Sequence, residues 1–382
     1  MFSQQAAQKS GDISVQISAF IQQLKRRELS GANNVAIDTA NLLLRFISAN
    51  KWTKVDTLLR DVKALGLRLE AAQPQELVCG NIVRRVLAII REAYESPSNN
   101  NTSDQKQQQQ QQQQLKPEYN LPPSSSMFEL LSESNRSETF AAAQTTSKRG
   151  KNYKAEIIEG IQELIDEITN VEEAVSGFSL DMIHENEIIL AATPDSRTVL
   201  KFLLRAQKKR NFAVIVTESY PNSTSEAHVF AGKLAKAGIE TAVVPDTMVF
   251  ALMSRVGKVI VGTRAVLANG GCVVSAGVAN VCECARQYRA PVLAVTGLYK
   301  LSPLYPFDVE SLIEVGDSGK VVDFEDGEMV DRVDAVNPVY DYVPPEHVDI
   351  VVSNLGGYAP SFVYRLVLDY YSPDDVNLGE SV

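Results

Sequence analysis

Phe212-Ala-Val-Ile-Val-Thr217, Thr241-Ala-Val-Val244 and Lys258-Val-Ile-Val-Gly262 are three short runs dominated by β-branched residues. Stretches with helical spacing, 227–237 and 246–255, lie between them. Runs that are apolar throughout, rather than alternating, suit strands buried on both faces. Their alternation with helices indicates βαβ units and a parallel sheet. Further out, Ile188-Ile-Leu-Ala-Ala192 reads as an earlier strand and 196–206 as the helix after it. Beyond the core stretch come a helix over 276–288 and the strand Pro291-Val-Leu-Ala-Val295. The strand Ile350-Val-Val352 and a helix over 360–370 close the series. A long helix over 153–184, carrying Ile157, Ile161, Leu164 and Ile168, precedes everything. The expected fold class for 151–382 is therefore α/β, a doubly wound, Rossmann-like parallel sheet behind a long helix.

Residues 1–95 read differently. Apolar residues recur at spacings of three and four from Ile13 to Leu24 and from Val35 to Ile47, with no strand-like alternation. Thr53 is a candidate N-cap for a third helix and Gly66 a candidate for its end. A fourth helix over 77–94 carries Ile82, Val83, Val86, Leu87, Ile89 and Ile90. This predicts an all-helical N-terminal domain. Arg26-Arg27 and Arg84-Arg85 read most simply as solvated helix faces. Residues 96–150 contain an unbroken Gln107–Gln114 tract and few large apolar side chains, so a disordered linker is expected there. One apolar island, Met127-Phe-Glu-Leu-Leu131, could dock as a single turn on a folded domain.

Charge follows the same division. The 382 residues hold 37 Lys/Arg and 47 Asp/Glu, a net −10. Residues 1–95 carry 13 basic and 9 acidic residues, 96–150 carry 5 and 5, and 151–382 carry 19 and 33. An acidic chain argues against broad nucleic-acid binding. No apolar run approaches the ~20 residues of a membrane span, and the first residues lack the apolar stretch of a signal peptide. Four cysteines make no disulfide framework, which suits a reducing compartment.

In an open parallel sheet, ligands sit beyond the carboxyl ends of the strands. Thr193, Asp246, Thr263-Arg264 and Thr296-Gly297 fall there. Asn269-Gly270-Gly271 with Gly277 could offer backbone amides to an anion. There is no G-x-G-x-x-G or P-loop pattern and no zinc-type cysteine pairing, so no cofactor or metal is expected. Cys272, Cys282 and Cys284 read as small buried hydrophobes. Asp246 opens a helix, either as its N-cap or as an acid/base group in a pocket.

These residues also carry a resemblance. Asp246-Thr-Met-Val-Phe-Ala-Leu-Met-Ser-Arg-Val-Gly-Lys-Val-Ile-Val-Gly-Thr-Arg264 and Ala268-Asn-Gly-Gly271 resemble the regulatory alpha, beta and delta subunits of eukaryotic translation initiation factor 2B and the related sugar-phosphate isomerases. Lys300-Leu-Ser-Pro-Leu-Tyr-Pro306, Asp341-Tyr-Val-Pro-Pro345 and Ser353-Asn-Leu-Gly-Gly357 narrow it to the initiation factor. Leu24-Lys-Arg-Arg27, Leu44-Arg-Phe-Ile47 and Cys79-Gly-Asn-Ile-Val-Arg-Arg-Val-Leu87 narrow it to the branch that pairs with delta. The isomerases use a cysteine after the first strand, an aspartate opening a later helix and an Asn-Lys pair near the phosphate. Here Asp246 matches the aspartate, Thr193 stands at or near the cysteine's place, and Val274-Ser275 replaces the Asn-Lys pair.

A threonine hydroxyl has too high a pKa to replace a thiol in proton exchange. The resemblance thus implies a vestigial pocket at Thr193, Asp246, Arg264, Asn269, Gly270 and Gly271. It implies a cytosolic, non-catalytic regulatory subunit of the guanine-nucleotide exchange factor for initiation factor 2. Such a subunit pairs directly with delta and assembles with alpha, gamma and epsilon into a decamer. Its helical domain meets the alpha subunit of initiation factor 2 and helps sense that subunit's phosphorylation. His184, Met253 and Arg255 are candidate interface residues near the old pocket, with core packing as the other reading of Met253. An isomerase or small-molecule sensor is the alternative. Residues 308–349 hold 13 acidic residues against Lys320 and Arg332. They read as a solvated excursion or as a surface that draws in a basic partner.

Overall fold

The computed structural model describes residues 2–29, 31–50, 52, 54–95 and 153–379, with side chains from residue 13 onward. Thr53, the Gln tract and the island at 127–131 lie outside the described residues. Four helices come first: α1 (Phe2–Lys25), α2 (Ala32–Ala49), α3 (Val55–Ala72) and α4 (Leu77–Glu95). The long helix α5 (Tyr153–Gly177) stops seven residues before His184. A separate turn, Ser179–Met182, leads from it into the sheet.

The α/β region alternates as the apolar runs dictate. It runs β1 (Glu187–Ala191), α6 (Arg197–Gln207), β2 (Phe212–Thr217), α7 (Thr224–Lys236), β3 (Glu240–Val244) and β4 (Lys258–Gly262). After β5 (Ala265–Val266) and β6 (Cys272–Ser275) come α8 (Val278–Tyr288), β7 (Val292–Val295), β8 (Tyr340–Val343), β9 (Ile350–Ser353), β10 (Gly356–Tyr358) and α9 (Val363–Tyr370). The main sheet has the order β10-β9-β7-β4-β1-β2-β3. All its pairings are parallel except β10 on β9. The chain leaves β1 toward β2 on one side and returns to β4 on the other, so the β1–β4 seam is the topological switch point.

Four features depart from the sequence reading. Gly66 lies inside α3, where a Cβ would come 2.6 Å from Val83 Cγ1, so it serves close α3–α4 packing rather than helix termination. The run 246–255 is a broken helix, 3-10 over Asp246–Met248, α over Val249–Leu252 and 3-10 over Met253–Arg255. A second, three-stranded antiparallel sheet, β5-β6-β8, brings the chain back from the acidic excursion to pair with β6. Its strands of two to four residues carry too little pattern to be read in advance. The paired arginines also behave differently. Arg84 is 2% exposed and pairs with Glu70 at 2.8 Å, while Arg27 reaches the buried Glu314 at 2.6 Å. Arg26 and Arg27 both stay exposed, as the sequence predicts, whereas Arg84 is buried.

The core explains why. One apolar cluster runs without a break from the helical block, through Ile157, Ile161 and Ile168 of α5, to Ile189, Val214 and Ile260 on one face of the sheet. A second cluster, with Leu190, Val259, Val274 and Val281, fills the other face. The rings of Tyr94, at the end of α4, and Tyr153, at the start of α5, lie 6.0 Å apart.

Candidate functional site

A cleft of about 470 Å³ opens over the switch point. Asp195 and Ser196 after β1, Thr263 and Arg264 after β4, and Tyr299 and Lys300 after β7 form its floor. Asn33 and Asn34, at the start of α2, close it from the helical block. Lys300 is 7% exposed and donates to the Thr263 carbonyl at 2.8 Å. Burial, with the Arg264 charge nearby, pushes its pKa down to about 8. The Arg264 guanidinium lies 4.9 Å from the Tyr340 ring centroid, and its Nε donates to the Tyr340 hydroxyl at 3.1 Å. Burial works against that charge, but Tyr340, Glu76 and Asp195 outweigh it and hold the pKa above the ordinary arginine value. Burial in turn raises the carboxyl of Glu76.

Of the six residues assigned to an old pocket, only Arg264 lines the cleft. Thr193 is 1% exposed, and its hydroxyl accepts the Gly262 amide at 2.6 Å. Asp246 caps nothing. Its two oxygens accept the amides of Ser219 at 3.2 Å and Tyr220 at 3.0 Å, holding the loop after β2. Asn269-Gly270-Gly271 form the β5–β6 turn. The Gly270 amide donates to Leu267, the Gly271 amide to Asn269 Oδ1, and Asn269 Nδ2 to the Tyr342 hydroxyl. The Gly277 amide donates to Asp341 Oδ2 at 2.7 Å, so a carboxylate of the chain already sits at the start of α8. The anion cradle read from these glycines is thus spent on internal bonds.

The interface candidates also separate. Met253 is 1% exposed and belongs to the core. His184 and Arg255 are exposed, but they lie near the amino ends of β1 and β4, at the opposite end of the sheet from the cleft. An apolar patch was missed. Met248, Phe250 and Tyr288 are 46%, 55% and 40% exposed, and the Phe250 and Tyr288 rings meet edge-on at 5.2 Å. The signal was present in Met248 to Met253, apolar on more sides than one buried helix face requires. All four cysteines are free, and no metal-binding group of His, Cys, Asp and Glu occurs among the described residues. No helix among them is long and apolar enough to cross a membrane.

A mostly parallel sheet covered on both faces, set behind a helical block and with a cleft over its switch point, defines an α/β fold of Rossmann-like kind. The initiation factor 2 subunit family model matches residues 28–360, and the chain belongs to that family. It is 40% identical to translation initiation factor eIF2B subunit beta of Schizosaccharomyces pombe over 95% of this chain and 97% of that one. The crystal structure of eIF2B beta from Chaetomium thermophilum matches with a TM-score of 0.70 and 30% identity, covering 97% of this chain and 96% of that one. A chain of the tetrameric eIF2B-beta2-delta2 complex from the same organism matches with a TM-score of 0.67 and 29% identity, covering 94% and 95%.

Proposed function

We propose that the chain is a non-catalytic regulatory subunit of the exchange factor that regenerates GTP-bound initiation factor 2. The end-to-end match to eIF2B subunit beta carries this reading. The loss of isomerase chemistry supports it, because the threonine near the thiol's place is buried and its hydroxyl is engaged by Gly262. In this reading the chain works in the cytosol and pairs directly with a delta subunit. The exposed Met248, Phe250 and Tyr288 supply the apolar part of the pairing face. Alpha, gamma and epsilon subunits complete a decamer, with exchange chemistry in epsilon and gamma. The helical block faces the alpha subunit of initiation factor 2 and takes part in sensing its phosphorylation. No nucleic acid, membrane or cofactor is involved.

Co-expression with a delta subunit, followed by native mass measurement, tests the reading. A stable heteromeric complex is expected. A lone homodimer that turns over phosphorylated pentoses would overturn it.

A further inference from the structure

Residues 371–379 run back from the end of α9 across the helical block and fill a groove between α3 and α4. The fit is specific along the segment. Asp375 is fully buried. Its carboxylate accepts two bonds from Arg91, from Nε at 2.8 Å and Nη2 at 2.9 Å, and pairs with Lys63 at 2.9 Å. These cations outweigh the cost of burial and hold the Asp375 carboxyl below its ordinary pKa. Two main-chain oxygens are also taken, Asp374 by Lys63 Nζ at 3.0 Å and Val376 by Arg84 Nε at 2.9 Å. Leu378, 4% exposed, enters the notch at Gly66, where a Cβ would lie 3.1 Å from its Cδ1.

This is the anatomy of a peptide site: a two-cation fork for one carboxylate, a guanidinium on the backbone and an apolar notch three residues on. The segment does not exhaust it. An open cavity of about 840 Å³ lies between the segment and α3, walled by Leu59, Arg60 and Leu67 on one side and by Pro373, Asp374 and Asn377 of the segment on the other.

We propose that the α3–α4 groove is a recognition site for a protein segment of Asp-x-x-Leu pattern, and that residues 373–379 occupy it in cis. The partner it fits is an acidic segment of another protein, long enough to reach the open cavity. A tethered segment competes at an effective concentration in the millimolar range. Displacing it therefore takes millimolar peptide of the same sequence or, at lower concentration, a longer partner that also contacts Leu59, Arg60 and Leu67 of α3. The proposal rests on the groove alone and is independent of the pairing and regulatory reading above.

The probe is a labelled synthetic peptide with the sequence of residues 371–379. The full chain carrying Asp375→Ala and Leu378→Ala, its own segment weakened, is expected to bind the peptide. The Asp375→Asn peptide is expected to bind on the order of 100-fold more weakly, as removal of one partner of a buried ion pair implies. In the unmodified full chain, millimolar peptide is expected to raise hydrogen exchange within residues 373–379. Absence of binding to the folded variant, or equal affinity for the two peptides, overturns the proposal. Should the variant fail to fold, unchanged exchange in the unmodified chain overturns it alone.

Discussion

The Thr193 hydroxyl accepts the Gly262 amide at 2.6 Å, tying together the carboxyl ends of two neighbouring strands. A hydroxyl committed in this way is a fastener, and its removal leaves a buried amide without an acceptor. Thr193→Val is expected to cost about 1–3 kcal/mol, read by urea or thermal unfolding. Thr193→Ser should recover most of it.

Asp246 holds a loop by the same logic. Its carboxylate accepts two successive amides, and Ser219 there sits at φ 52°. Asp246→Ala should release both. Hydrogen exchange is expected to accelerate at Ser219 and Tyr220, with little change at β1 or β4.

Lys300 makes stability depend on alkaline pH. Its pKa is about 8 in the folded chain against an ordinary 10.5. Between those values the unfolded chain binds the extra proton, so stability rises with pH across the window. Below pH 8 the penalty of the buried charge is fully present. Unfolding free energies measured from pH 7 to 10.5, relative to Lys300→Met, should rise by up to about 3 kcal/mol.

Phe250 offers a test of the proposed pairing face. It is 55% exposed and stacks edge-on with Tyr288. Phe250→Glu is expected to abolish co-purification with a delta subunit while shifting stability by no more than about 0.5 kcal/mol. Retained pairing would move the interface elsewhere.

The acidic excursion is a candidate surface for drawing in a basic partner, and its effect would be on rate. Asp323, Glu325, Asp326 and Glu328 are exposed on it, while its root is fixed by Glu314 on Arg27 and by Asn337 on Asn222. Neutralising the four together is expected to slow association with initiation factor 2 at low salt and to change little at high salt. An unchanged rate at low salt would leave the excursion a solvated loop.

The parallel strands were legible in the sequence because doubly covered strands must be apolar along their whole length. Phe212–Thr217 and Lys258–Gly262 fall where those runs lie. The antiparallel sheet was not legible, since β6 finds β8 only across the whole acidic excursion. Polar side chains were the hardest to place. Arg84 and Arg85 look like surface charges in one dimension. Besides their ion pairs with Glu70 and Glu92, they donate to the main-chain oxygens of Val376 and Tyr370, which lie far downstream in the chain. Thr193 and Asp246 were singled out for chemistry, yet each is occupied by backbone amides, and no local pattern reveals that.

The 6.0 Å approach of Tyr94 and Tyr153 has a consequence for how this gene can change. The 57 residues between Glu95 and Tyr153 begin and end at nearly one point, beside a core that is already continuous. Closing such a loop costs only about 0.6 kcal/mol more for each doubling of its length. Adding or removing a few glutamines between these two fixed ends therefore changes the closure cost by only a fraction of that amount.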